Sequence, residues 1–263
     1  MLKPKQPYSH LRVHSEYSLV DSTIEIRPLL KLCRDRGIPS IALTDMCNMF
    51  GSIKFYQACL IYGIKPIFGT DLLIENNGRV YNICFLAKNK QGYNNIVKLV
   101  SKAYINLPRS RGIPLIPKSW IYDCELDHIF VLTGGIKGEL GIAIMQSDDA
   151  KIKNIINEYT NIFKKNNFFI ELQKIGDERE TSYIEKACSV AKTFNIPIVS
   201  TNNVCFLNQN LYETHEIKVA INQKSILSQN LNKKSQYFPG QYLRSSGEMY
   251  ELFKCIPTSL TNT

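Results

Sequence analysis

The sequence predicts an α/β fold built on a parallel sheet, closed into a barrel or left as a doubly wound open sheet. Three observations carry this. Seven short apolar runs punctuate the 263 residues, and most are followed by a stretch with helical spacing. The runs are apolar almost throughout, as strands covered on both faces must be. Neither G-x-G-x-x-G nor G-x-x-x-x-G-K-[ST] occurs, which weighs against a dinucleotide or P-loop sheet.

The first run is HLRVH, residues 10–14. In an extended strand His10, Arg12 and His14 share one face, and Leu11 and Val13 the other. Two histidines so placed suit a divalent cation. The arginine between them does not, because it is permanently charged and has no lone pair to give. A helical pattern over 23–37 stops at Gly37, and another over 51–63 stops at Gly63. Further helices are predicted over 91–104, 148–165 and 178–195, and further strands over 39–45, 65–74, 80–88, 129–135, 168–174 and 196–204. Three strands echo one another: IPSIALTD, IKPIFGTD and IPIVSTNN. Proline at a strand's start forfeits no ladder bond. The polar pair then falls at the carboxyl end, the edge where barrels and open sheets place their chemistry. That edge is expected to gather His14, Asp45, Asp71, Gly135 and Asn203.

Residues 206–263 read differently. A helix is predicted near 209–223, then a polar loop over 224–236. FPGQYLRSSGEMYELFKCIP follows as a turn and an amphipathic helix. The closing SLTNT resembles a helix start, so the chain is expected to be a piece of a longer protein.

The net charge of +9 favours polyanionic partners. Lysines in stretches such as KIKNIINEYTNIFKKNN also read as solvated surface. Eight cysteines, none in a C-x-x-C pair, predict a reduced, cytoplasmic protein with small buried thiols. MLKPKQPYSH lacks the apolar core of a leader, and no run of about 18 apolar residues exists to span a membrane. His128 is expected on a loop without a role, and His215 on a helix over the barrel rim. The basic loops 109–112 and 232–236 are read as solvated, FPGQYLRS as a packed turn, and Trp120 as a loop anchor.

HLRVHSEYSLVD, IALTDMCNMFGSIKFY, GIKPIFGTD, LAKNKQGYNNIVKLVSKAY, LTGGIKGELG and TNNVCFLN…HEIKVAI, in this order, resemble the amino-terminal PHP domain of bacterial C-family replicative polymerases, the DNA polymerase III alpha subunits. Arginine at 12 is similar to the proteobacterial type. The resemblance spans about Tyr8 to Pro257. It implies a distorted seven-stranded, TIM-barrel-like (β/α) barrel over 1–205. Residues 206–263 would finish the domain as a helical extension leading toward a polymerase palm. It further implies a parent enzyme that makes DNA with Mg. The implied partners are a proofreading 3′–5′ exonuclease subunit, other holoenzyme subunits and primer-template DNA, with no membrane contact.

Metal-binding members of that family hold divalent ions in a His/Asp/Glu/Cys cluster. The resemblance places its opening H-x-H on Arg12 and His14 and the following acid on Asp21. The histidine of T-D-H-G-N falls on Met46, the third-strand acid on Asp71, and the next histidine on Asn82. The cysteine of S-G-C falls on Gly135, and the closing D-x-H on Asn203 and Cys205. His10 and His215 lie outside the set, and Asp45 beside it. A thioether is a soft, weak ligand for Mn, Mg or Zn, and Arg12 puts a fixed positive charge where a cation would sit. The expectation is a vestigial site with no metal and no catalytic residue. Arg12 would pair with Asp21, Asp45 or Asp71, because carboxylates left without a cation are costly. Two other functions are weighed beside this one. One is a metal-dependent phosphoesterase or 3′–5′ exonuclease active in its own right, and the other a free-standing accessory protein.

Overall fold

The computed structural model describes residues 8–106, 109–110, 113–123, 125–163, 166–222 and 236–263. The basic loop 232–236 lies outside them except for Gln236, and of the basic loop 109–112 only a two-residue backbone strand is described. The main sheet runs β1 (Ser40–Leu43), β2 (Lys65–Asn76), β3 (Arg79–Ala87), β7 (Ile129–Leu132), β8 (Phe168–Gln173) and β9 (Ile198–Thr201), with β6 (Ile116–Pro117) added beside β2. A separate two-residue pair joins β4 (Arg109–Ser110) to β5 (Ile113–Pro114).

The predicted run at 10–14 is not a regular strand. It forms single bridges, His10 to Ile41 and Val13 to Val204. Ala42 and Thr44 donate to the carbonyls of His10 and Val13, and Val204 donates to that of Arg12. The segment therefore ties β1 to the end of β9 and closes the sheet into a distorted barrel. Its side chains do not alternate cleanly. Leu11 packs with Ala42, Cys84, Leu86, Leu132 and Val199 inside the ring, whereas Val13 packs with Ile41 and Phe55 outside it. His10 turns to the Arg244 carbonyl at 2.8 Å, away from Arg12's partners. The backbone changes neighbour between His10 and Val13, and this breaks the period of two.

The sheet is mixed, which corrects the all-parallel expectation. β3 runs antiparallel to β2 and to β7. The cause is local: Asn77 and Gly78 join β2 to β3 with φ of 52° and 74°. Positive φ at both central positions is the two-residue turn whose twist matches a hairpin, and Asn-Gly is its usual sequence. β1–β2, β7–β8 and β8–β9 are parallel.

The helices that the sequence predicts form close to their expected ranges. α1 (Ile26–Asp35) and α2 (Ser52–Tyr62) stop at Gly37 and Gly63, both left-handed. α3 covers Lys90–Asn106, α4 Ser119–Tyr122, and α5 Glu139–Gln146. α6 (Asp149–Ile162) starts where the Asp148 side chain accepts from Lys151 N–H, and α7 (Glu180–Phe194) ends at left-handed Asn195. α8 is Tyr212–Asn222, α9 Ser246–Leu252 with a Ser245/Glu248 capping box, and α10 Thr258–Thr261. α9 and α10 lend Met249 and Leu260 to the main core, which also holds Phe85, Phe168 and Leu172. Among the described residues no helix is long and apolar enough to cross a membrane.

Candidate functional site

Arg12 is the largest of the fully buried side chains, 2% exposed. Its Nε donates to Asp71 Oδ2 at 2.7 Å and its Nη1 to Glu171 Oε2 at 3.0 Å. Asp71 lies on β2 and Glu171 on β8, with β3 and β7 between them in the sheet. The guanidinium therefore crosses the space the barrel encloses. His14 Nε2 donates to the same Asp71 oxygen at 2.6 Å. Glu171 Oε1 accepts from Gln173 Nε2 at 3.1 Å and from the Thr201 hydroxyl.

Burial disfavours the charged forms of Arg12, His14 and Asp71, and pairing outweighs it. Arg12 is held above its ordinary pKa by Asp71 and Glu171. The bond to Asp71, with Cys205 nearby, holds His14 well above the usual imidazole range. Arg12 and His14 hold Asp71 below the usual carboxylate range. A buried ion pair of this kind contributes little net stability, but removing one partner strands a charge in low dielectric.

The other predicted carboxylates take other partners. Asp45 accepts from Ser15 N–H at 2.6 Å and from the hydroxyls of Ser15 and Ser18, while burial pushes its pKa up. Asp21, half-buried, accepts from the Tyr237 hydroxyl, and its carbonyl from His215 Nε2 at 2.9 Å. Met46 lies beside Asp71 in an isolated bridge and donates its N–H to the Ser18 hydroxyl at 3.0 Å. Asn82 on β3 and Asn203, with φ of 45°, line a small cleft with Arg12, Gly134, Lys137 and Gln173. At about 30 Å³ it has room for little more than one water. Gly134 is obligatory there, since a Cβ on it would stand 2.1 Å from the Asn82 carbonyl oxygen. Gly135, also left-handed, places its Cβ direction 3.4 Å from Gln173 Oε1. Cys205 is buried, its thiol pushed up by burial and touched by Gln241 Nε2 at 3.4 Å.

Glu171 was not among the sequence-predicted residues. Its signal was present: one carboxylate inside the apolar run FFIELQ, on the face opposite Phe168, Ile170 and Leu172. Ser15 and Ser18, the donors to Asp45, gave no signal, because hydroxyls are common near any turn.

These residues do not fit a metal centre of the kind described above for metal-binding members of that family. Such a centre needs three or more side-chain donors around one point. Here guanidinium nitrogens bond one oxygen of Asp71 and one of Glu171, and His14 spends Nε2 on the same Asp71 oxygen. Among the described residues no group of three His, Cys, Asp or Glu is arranged to hold an ion. Asp71 Oδ1, Asn203 Oδ1 and His14 Nδ1 are buried without a partner among the described residues.

The remaining histidines behave as scaffold. His10 is buried against Tyr8 and Arg244, and burial pushes its pKa down to about 4. His215 on α8 is buried and packs edge-on against Tyr237 at 4.5 Å. Asn89 bonds His128 at 3.0 Å at the surface, and Lys102 sits 4.0 Å from the Trp120 ring.

Comparison with known proteins gives four findings. The chain is 37% identical over 266 residues to the DNA polymerase III subunit alpha of Vibrio cholerae, covering 100% of this chain and 22% of that one. It is 35% identical over 259 residues to the Escherichia coli K12 protein of the same name, covering 97% and 22%. The chain thus spans about a fifth of the length of these relatives, within their amino-terminal region. Among solved structures, an amidohydrolase from Chromobacterium violaceum superposes with a TM-score of 0.50 at 10% identity, over 80% of this chain and 96% of that one, a likeness of fold alone. The model of the PHP domain family matches residues 10–175. With that match over more than half its length, the chain belongs to the PHP domain family.

Proposed function

We propose that this chain is a degenerate, non-catalytic PHP barrel of a replicative DNA polymerase III alpha subunit. It braces the polymerase proper and docks the proofreading 3′–5′ exonuclease subunit. Identity of 35–37% to named alpha subunits over nearly the whole chain supports the parentage. One observation carries the non-catalytic role: the Arg12 guanidinium, paired with Asp71 and Glu171, fills the place of a cation. A fixed guanidinium can neutralise carboxylates and brace β2 against β8. It cannot polarise a phosphate ester as a Lewis acid or generate a bound hydroxide. The parent enzyme adds deoxynucleotides to a primer end in the cytoplasm, using Mg at a palm outside this segment. It acts on primer-template DNA with the other holoenzyme subunits.

The test is an assay of the 263-residue chain against bis-p-nitrophenyl phosphate and a primer-template, with Mg, Mn or Zn present. The reading expects no turnover above that of an Asp71→Asn variant and no primer extension. Hydrolysis that disappears in Asp71→Asn would instead make the barrel an enzyme in its own right, and extension would place polymerase residues in it.

A further inference from the structure

The β2–β3 hairpin turns at Asn77-Gly78, the one Asn-Gly step in the sequence. The two residues have φ of 52° and 74°, and both are exposed. A Cβ built on Gly78 would meet nothing within 4 Å, so the space around that residue is open. Asparagine before glycine is chemically labile in such an opening. Its side-chain carbonyl carbon can close a five-membered ring with the next backbone nitrogen, and glycine has no side chain to keep the two apart.

One contact opposes that ring. Gly78 N–H donates to Glu75 Oε1 at 2.6 Å. The attacking nitrogen must give up its proton and carry negative charge. Here the proton is bonded to a carboxylate, and the new charge would develop beside an existing one. A carboxylate is too weak a base to remove an amide proton itself. Coulomb repulsion at this separation, even at the dielectric of water, slows the attack about tenfold.

The turn also sits against a buried polar network. Asn76 pairs with Arg79 across the tip, and its Nδ2 donates to Glu139 Oε1 at 2.9 Å. Glu139 Oε2 accepts from Lys118 Nζ at 2.6 Å and from the Tyr159 hydroxyl at 2.8 Å. Lys118 N–H donates to the Glu75 carbonyl at 2.9 Å. The segment between β6 and α4 is thus fastened to β2 and α5 through residues next to the turn.

We propose that Asn77 is a site of spontaneous covalent modification, passing through a succinimide with Gly78, and that the Glu75 carboxylate sets its pace. The Gly78 nitrogen loses its proton to solvent base and bonds to Asn77 Cγ. The Cγ–Nδ2 bond breaks, and the side-chain nitrogen leaves as ammonia, taking up one proton. Water then opens the ring at either carbonyl. One product is an aspartate, and the other an isoaspartate whose main chain runs through the side-chain carbons. Isoaspartate adds one main-chain atom to a two-residue turn, so Asn76 and Arg79 lose register and Asn76 leaves Glu139. Water is the one co-reactant, so the inference is independent of Arg12 and of any polymerase parentage.

The experiment keeps the folded 263-residue chain warm at mildly alkaline pH and follows the peptide that contains Asn77-Gly78 by mass spectrometry. Edman sequencing, which halts at isoaspartate, separates the two products. Both should accumulate at position 77 and be absent from Asn77→Ser. Glu75→Gln keeps an oxygen acceptor and removes the charge, so the products should form about tenfold faster. In urea, where the turn is gone, the two chains should react at one rate. Product chains separated by ion exchange should show faster hydrogen exchange at the Lys118 amide. If Glu75→Gln lowers the melting temperature, exchange of the Gly78 amide in the parent decides, because it reads the same proton without a variant. That amide should exchange about tenfold more slowly than in a short peptide of the same sequence. No modification at position 77 in either folded chain, a rate that Glu75→Gln leaves unchanged or lowers, or a difference that persists in urea would overturn the proposal. So would a Gly78 amide that exchanges as freely as in the peptide, or a Lys118 amide unmoved by the modification.

Discussion

Arg12 Nε stands 2.7 Å from Asp71 Oδ2, both side chains buried, one from the segment that closes the barrel and one from β2. The pair holds together parts of the chain 59 residues apart. Its second arm, to Glu171 at 3.0 Å, reaches β8 on the far side of the ring. Removing the guanidinium should therefore cost far more than a surface charge would. Arg12→Ala strands two buried carboxylates, and the expected loss is about 3–5 kcal/mol in urea unfolding. Arg12→Lys keeps the charge but loses the fork, and should fall between the two. A loss under about 1 kcal/mol would mean that water already screens the pair.

Asp71 and Asp21 should respond differently to the same change. Asp71→Asn removes the charge that both Arg12 and His14 share, with an expected cost on the order of 3 kcal/mol. Asp21→Asn leaves an acceptor for Tyr237 and should cost about 1 kcal/mol or less. Chemical denaturation of both variants, run side by side, checks the ranking.

Two histidines give opposite pH signatures. His10 titrates near 4 in the folded chain and near 6.5 unfolded. The unfolded state thus takes up the proton first. His10's contribution is complete above about pH 6.5 and drains away as pH falls toward 4, up to about 3 kcal/mol. His10→Gln should flatten that part of the stability curve. His14 is raised well above 6.5, so its contribution is full below the unfolded value and is lost as pH rises through the folded one. NMR of the imidazole carbons should find His14 protonated at pH 7 and neutral in Asp71→Asn.

The β2–β3 turn rests on one glycine. Gly78 has φ of 74° with nothing near its Cβ direction, so Gly78→Ala meets only backbone strain. The expected cost is about 1 kcal/mol, read from the urea midpoint.

Much of this was legible in the sequence. Gly37 and Gly63 end their helices as predicted; the run of strand and helix patterns gave an α/β sheet, closed or open, and the family resemblance gave the barrel. The orientation of β3 was equally legible and was misread. Asn77-Gly78 between two strands is a hairpin signal, yet the surrounding α/β rhythm favoured a parallel crossover. The irregularity at 10–14 had no local cause. It arises because that short segment must bridge two different neighbours to close a ring, a constraint that exists only in three dimensions. Arg12 stood out in the sequence as a residue that cannot be a metal ligand, since its chemistry does not depend on context. Its partners stood out less. Asp21, Asp45 and Asp71 were indistinguishable as carboxylates, and only the barrel's geometry separates Asp71 from the two acids that turn to serine and tyrosine hydroxyls. Glu171 was overlooked because it matched no position of the family's ligand pattern, although a carboxylate buried in an apolar strand needs a cation partner somewhere.

The most direct test of the central claim is crystallographic. Crystals of the chain soaked in manganese, with data collected for anomalous signal, should show the Arg12 guanidinium still bonded to Asp71 and Glu171 and no anomalous peak beside them. A fully occupied manganese ion on His14 and Asp71, with Arg12 displaced, would contradict it.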